Sequence, residues 1–117
     1  DIEPPPPDVV AQASAIAREA GVDAPLLGRV LAYLDPLSRL RVRLARAVAF
    51  NPSLLILEHP SATLPRADVI RFACDVRALV RSRGLATLTL TADGELAGAI
   101  AERPLVLEPA TGRLREP

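Results

Sequence analysis

The chain has 117 residues, half of them apolar and 3% aromatic, with 14 basic and 14 acidic side chains and a formal net charge of zero. That length suits one domain with an aliphatic core, and the charge balance speaks against a general nucleic-acid binder, which carries a marked basic excess. The single cysteine, Cys74, excludes an internal disulfide and suits a reducing compartment, and neither a membrane-spanning apolar run nor a signal peptide is visible.

Residues 1–8, "DIEPPPPD", read as an extended polyproline linker or tail ahead of a single domain over 9–117, with a helical segment at 9–51 and a sheet-and-helix part at 52–117. The chain begins at Asp1 rather than at methionine, the expectation for a piece of something longer. Asp8 is placed to cap a helix running to about Ala20 and ended by Gly21. Asp23 and Pro25 open a second helix, "PLLGRVLAYL", which breaks before Pro36. In "PLSRLRVRLARAVAF", Leu37, Leu40, Leu44, Ala47 and Val48 share one face at helical spacing and Arg39, Arg43 and Arg46 fall opposite, until Asn51-Pro52 stops the helix. Residues 54–58 are too short and too uniformly apolar for an amphipathic helix and read as a buried strand.

A helix over 66–83 carries the stripe Val69, Phe72, Ala73, Val76, Leu79 and Val80 and ends at Gly84. "LATLTLTA", 85–92, reads as a strand with Thr87, Thr89 and Thr91 on one side. Asp93 caps a short helix at 93–102, and "PLVLE", 104–108, is a strand that turns back through 109–114 as a hairpin. Alternating strands and helices predict an α/β fold: a small, mainly parallel sheet with flanking helices.

All fourteen basic residues are arginine. A phosphate-binding loop of the form GxxxxGK[ST] needs a lysine, and none of the six glycines has the required spacing, so this stretch of chain contains no such loop.

From Arg41 to Pro65 the sequence reads "RVRLARAVAFNPSLLILEHPSATLP". It resembles the second half of an ABC-transporter ATPase, whose pattern from the end of the signature helix through the Walker B strand is roughly RVALARALxxxPxLLLLDEPTSALD. Arg41, Val42, Leu44, Ala45, Arg46, Ala47, Pro52, Leu54 through Leu57, Pro60 and Leu64 carry the likeness, and the order of elements over 20–115 agrees with it. The resemblance also implies where the chemistry would sit. Glu58 takes the place of the Walker B aspartate that holds Mg²⁺, one methylene longer, and is the weak candidate for a metal contact. His59 takes the place of the glutamate that polarises water. The signature loop falls on Leu34, Asp35, Pro36, Leu37 and Ser38, without a glycine. At the D-loop, Leu64 is followed by Pro65 where the family has aspartate, and Ala92 stands at the switch histidine.

With the apolar frame kept and these polar stations exchanged, the resemblance implies a degenerate, non-hydrolysing domain with a structural or regulatory docking role in a transport-related complex. No cofactor is expected of it. Its expected partners are an ABC ATPase or a membrane subunit, met through residues 9–38, or a second copy through an open sheet edge, but no nucleic acid; its expected place is the cytoplasm or the inner face of the cell membrane. The alternative is the C-terminal part of a longer or asymmetric ATP-binding subunit that uses ATP and Mg²⁺ with a phosphate-binding loop supplied elsewhere. In the family the loop-bearing strand lies between the switch strand and the last parallel strand. Without it, strands 85–92 and 104–108 either close up, accept a strand from another chain, or accept one from a missing part of the same polypeptide.

Overall fold

The computed structural model describes residues 3–117, and its elements run in chain order as follows. Helix α1 (Pro7–Glu19) and helix α2 (Pro36–Val48) precede strand β1 (Leu54–Glu58); then come helix α3 (Arg66–Arg83), strand β2 (Ala86–Leu90), helix α4 (Gly94–Ile100) and a hairpin of β3 (Val106–Glu108) and β4 (Arg113–Arg115). The fold is α/β, and its central sheet has two parallel strands in the register Leu54↔Ala86 through Glu58↔Leu90, joined across α3.

Local chemistry accounts for most boundaries. Pro7 is the first helical residue of α1, where its missing N–H leaves no bond unmade. The helix therefore takes in the last two residues of the stretch read as a tail; Asp1 and Ile2 lie outside the described residues. Asp8 sits inside the first turn rather than at the cap, which is Pro6. At the other end Gly21 adopts φ +83°, with its N–H on Arg18 O and the Val22 N–H on Ala17 O, a full Schellman closure. Helix α2 is capped by Asp35, whose Oδ1 accepts from Ser38 N at 3.0 Å, with Pro36 at the first position. Left-handed Gly84 ends α3, as expected.

Further expectations are corrected. Residues 25–34 form no α-helix; they make two short 3₁₀ turns, Ala24–Leu26 and Leu31–Tyr33, separated by Gly28 and an extended Val30. Glycine and a β-branched residue are poor helix formers, and this segment buries only Leu34 to compensate. On α2 the buried set is Leu37, Ser38, Leu44, Ala45 and Val48, so Ala45 faces inward where Ala47 was expected, while Arg39, Arg43 and Arg46 are exposed as read. Finally, β3 does not join the parallel sheet: it pairs only with β4, antiparallel, and the closing-up of β2 against it does not occur.

The core lies between one face of the sheet and the helices. Phe72, Val69, Val76 and Leu79 of α3 meet Leu55, Val48, Leu44 and Leu96, all buried. Helices α1, α2 and α3 are further joined by Arg83, whose Nε donates to Glu19 Oε2 at 2.7 Å and whose Nη1 donates to Val48 O at 3.1 Å. Arg41 of α2 donates through Nε (2.8 Å) and Nη2 (2.7 Å) to Asp75 Oδ2 of α3. The opposite face of the sheet is open: Leu54, Ile56, Leu88 and Leu90 are each about half exposed. Strand 54–58, read as buried, is thus buried on one side only, through Leu55 and, in part, Leu57. Among the described residues no helix is long and apolar enough to cross a membrane.

Candidate functional site

Ligands of parallel α/β sheets gather beyond the carboxyl ends of the strands. Here β1 and β2 end side by side at Glu58 and Leu90, and the loops that leave them frame an open cleft of about 560 Å³. His59, Ser61 and Ala62 line it from the β1 side, Thr91, Ala92 and Asp93 from the β2 side, and Arg66 and Glu95 from the starts of α3 and α4.

His59 takes a left-handed conformation, φ 43° and ψ 48°, and its N–H donates to Leu90 O at 2.8 Å. This bond continues the parallel ladder by one residue while the chain reverses into the turn Pro60–Thr63. The residue before a proline is steered away from the right-handed helical region, and histidine tolerates the left-handed one better than most side chains do. The imidazole itself is exposed.

Asp93 is the hub of the cleft. Its Oδ1 accepts from the N–H groups of Glu95 (3.1 Å) and Leu96 (3.2 Å), capping α4. Its Oδ2 accepts from Ser61 Oγ and from Arg66 Nη1, both at 2.7 Å. Its own N–H donates to Thr91 Oγ1 at 3.0 Å, and Arg66 Nη2 pairs with Glu95 Oε2. Hydrogen bonds from Ser61 and the Leu96 N–H, with Arg66 beside them, hold the Asp93 carboxyl down to about 2. One carboxylate therefore ties the loop after β1, the start of α3 and the start of α4 together.

The residues singled out from the sequence do not gather at one place. His59 and Ala92 line the cleft; Glu58 ends β1 at the surface and does not line it. Leu64 is buried in the core and Pro65 begins α3. Leu34, Asp35, Pro36, Leu37 and Ser38 form the capped start of α2, where Leu34, Leu37 and Ser38 are buried and hydrogen bonding from Ser38 holds the Asp35 carboxyl below its ordinary range. Sequence reasoning assigned Asp93 only its capping role and missed Ser61, Arg66 and Glu95. The Asp-Gly-Glu start of α4 announced the cap, but no spacing announced a hydroxyl and a guanidinium arriving from 32 and 27 residues away.

Magnesium asks for free oxygen ligands in near-octahedral order. Both oxygens of Asp93 already accept hydrogen bonds, and Glu95 is paired with Arg66. Among the described residues no three His, Cys, Asp or Glu side chains gather as metal ligands.

No family model matches the chain. Individual proteins do. It is 37% identical over 67 residues to the Fe(3+) ions import ATP-binding protein FbpC 2 of Rhizobium meliloti, covering 57% of this chain and 17% of that protein. It is 35% identical over 88 residues to the Fe(3+) ions import ATP-binding protein FbpC of Streptomyces avermitilis, covering 75% and 25%. To the uncharacterized ABC transporter ATP-binding protein YejF of Escherichia coli it is 27% identical over 96 residues, covering 82% and 18%. The chain spans a quarter or less of the length of these curated relatives. It is an ABC-ATPase-like C-terminal region, similar to one part of ABC-transporter ATP-binding proteins.

Proposed function

We propose that this ABC-ATPase-like region is a non-hydrolysing module that docks in a transport-related complex, at the cytoplasmic face of the membrane, and supplies shape rather than phosphate chemistry. One observation carries the reading. At the strand ends, where the family's chemistry would sit, the cleft offers the Ala92 methyl group and a carboxylate whose two oxygens already accept four hydrogen bonds. Neither can hold a metal ion or orient a water molecule for attack. His59 keeps a nitrogen base in the cleft, but its backbone serves the sheet and its ring has no hydrogen-bonded orienting group among the described residues. The module needs neither ATP nor Mg²⁺ for its role. Docking would use the bare outer edge of β2, where Ala86–Leu90 present unpaired backbone groups and no charged side chain, and the partner would be a strand of an ATP-binding subunit.

A second reading has its own support. The matched segments cover 17–25% of the relatives, and β2 has no strand on its outer edge. Under this reading the region works within an ATP-binding subunit whose phosphate-binding loop lies elsewhere. The two readings separate in one experiment. The chain is tested alone, and fused behind the loop-bearing first half of an iron-import relative, for ATP turnover and for binding of a fluorescent ATP analogue. The docking reading expects no turnover in either protein. Hydrolysis by the fusion, abolished when His59 is replaced by alanine, would establish the second reading instead.

A further inference from the structure

Helix α2 has a second face that the strand-end cleft does not use. Arg39, Arg43 and Arg46 succeed one another by four and three residues, the spacing of one stripe over roughly 10 Å of α2, and Phe50 follows four residues on, in the turn just beyond the helix end at Val48. Arg43, Arg46 and Phe50 surround a shallow depression floored by Ala47, and Phe50 is 88% exposed.

Two features set this stripe apart from an ordinary solvated face. The first is its cost to the helix. Like charges three and four residues apart repel, and Arg39 lies in the positive first turns of α2, where a cation is disfavoured. Among the described residues none of these three guanidinium groups makes an ion pair or hydrogen bond, whereas Arg41 on the same helix is paired with Asp75. The second is Phe50, one of only two phenylalanines in the chain; the other, Phe72, is the fully buried centre of the core. An aromatic ring beside two arginines in a depression is the composition of an interface anchor.

We propose that this face of α2 docks an acidic amphipathic helix of another protein, with carboxylates opposite Arg39, Arg43 and Arg46 and an apolar side chain seated on Phe50. The charge pattern selects this occupant over others. A second copy has no such face to offer: no helix carries three acids at this spacing, and of the pair seven residues apart on α3, Asp68 and Asp75, the second is held by Arg41. Nucleic acid would find only three phosphate contacts on a chain of zero net charge, and no use for the depression under Phe50. The inference is independent of whether the strand-end cleft hydrolyses nucleotide.

The test uses the full chain and a synthetic helical peptide with glutamates at i, i+4 and i+7 and a leucine one turn further on, followed by fluorescence anisotropy. Binding is expected, weakening with salt. The double variant Arg43→Glu/Arg46→Glu should bind about tenfold more weakly or less and should instead take the peptide whose glutamates are replaced by lysines. Phe50→Ala should weaken binding several-fold while leaving its salt dependence unchanged. Because all three positions are exposed, circular dichroism of the variants should match that of the parent. Equal affinity for the acidic and lysine peptides, no binding of the acidic peptide, or tighter binding to a DNA duplex than to that peptide would each overturn the proposal.

Discussion

Two residues illustrate how single atoms decide this fold. Gly21 stands at φ +83°, and a Cβ there would lie 3.0 Å from Arg41 Nε and 3.3 Å from the Asp75 carboxylate. Gly21→Ala is therefore both strained and in collision with the ion pair that joins α2 to α3. It should lower stability by about 1–2 kcal/mol, read as a lower urea midpoint at unchanged slope. Asp93 makes a pH prediction. Its folded-state carboxyl sits at about 2, below the ordinary 3.8. A depressed carboxyl contributes stability that is complete above the ordinary value and is lost as pH falls through the folded one. Between about pH 4 and pH 2 the α4 cap and the tie to Ser61 and Arg66 should loosen. Amide exchange at Glu95 and Leu96 should accelerate over that window relative to the middle of α3, and Asp93→Asn should flatten the dependence.

At the scale of elements, α3 and the sheet carry opposite expectations for substitutions of similar chemistry. Phe72 is wholly buried at the centre of α3, and Phe72→Ala should cost about 3–5 kcal/mol, a large share of the stability of a domain of this size. Ile56 and Leu88 are cross-strand neighbours on the open face, 57% and 48% exposed. Ile56→Ser/Leu88→Ser should change stability far less, within about 1 kcal/mol by two surface positions, and should reduce binding of an apolar dye, measured by fluorescence. The helices and strands themselves were legible from the sequence because period and punctuation agreed. Helix α3 has an unbroken apolar stripe and a glycine stop, and β1 and β2 are short β-rich runs between turn signals. The failure at 25–34 has the same physics with the sign reversed: there an apolar pattern existed, but Gly28 and Val30 weakened the helix and no neighbour buried its face.

The whole molecule is more open than its length predicts. Its radius of gyration is 16.1 Å, against roughly 13 Å for a compact domain of this size. Its accessible surface is 8216 Å², against about 6,100 Å² for a folded monomer of this mass. The surplus of roughly 2,000 Å² exceeds what one partner buries in a standard interface. Exposed apolar side chains lie on the open sheet face and on the separate hairpin, where Leu107 and Leu114 face each other. Small-angle scattering of the isolated chain should return a radius of gyration near 16 Å; a value near 13 Å would show the hairpin folded back onto the sheet.

Of the candidate site, His59 and Ala92 were readable one residue at a time. The register against the ABC-ATPase pattern placed Glu58 and His59 at the end of β1 and Ala92 after β2, because apolar periodicity and the prolines locate a strand end without reference to anything distant. Tertiary structure alone decided that Asp93 receives Ser61 and Arg66, that Glu58 does not line the cleft, and that β3 stays out of the parallel sheet. Hydrogen bonds between groups some thirty residues apart, and the choice of which strand edge is paired, depend on how elements meet in space. A one-dimensional pattern records the propensity to form those elements and carries no record of that meeting.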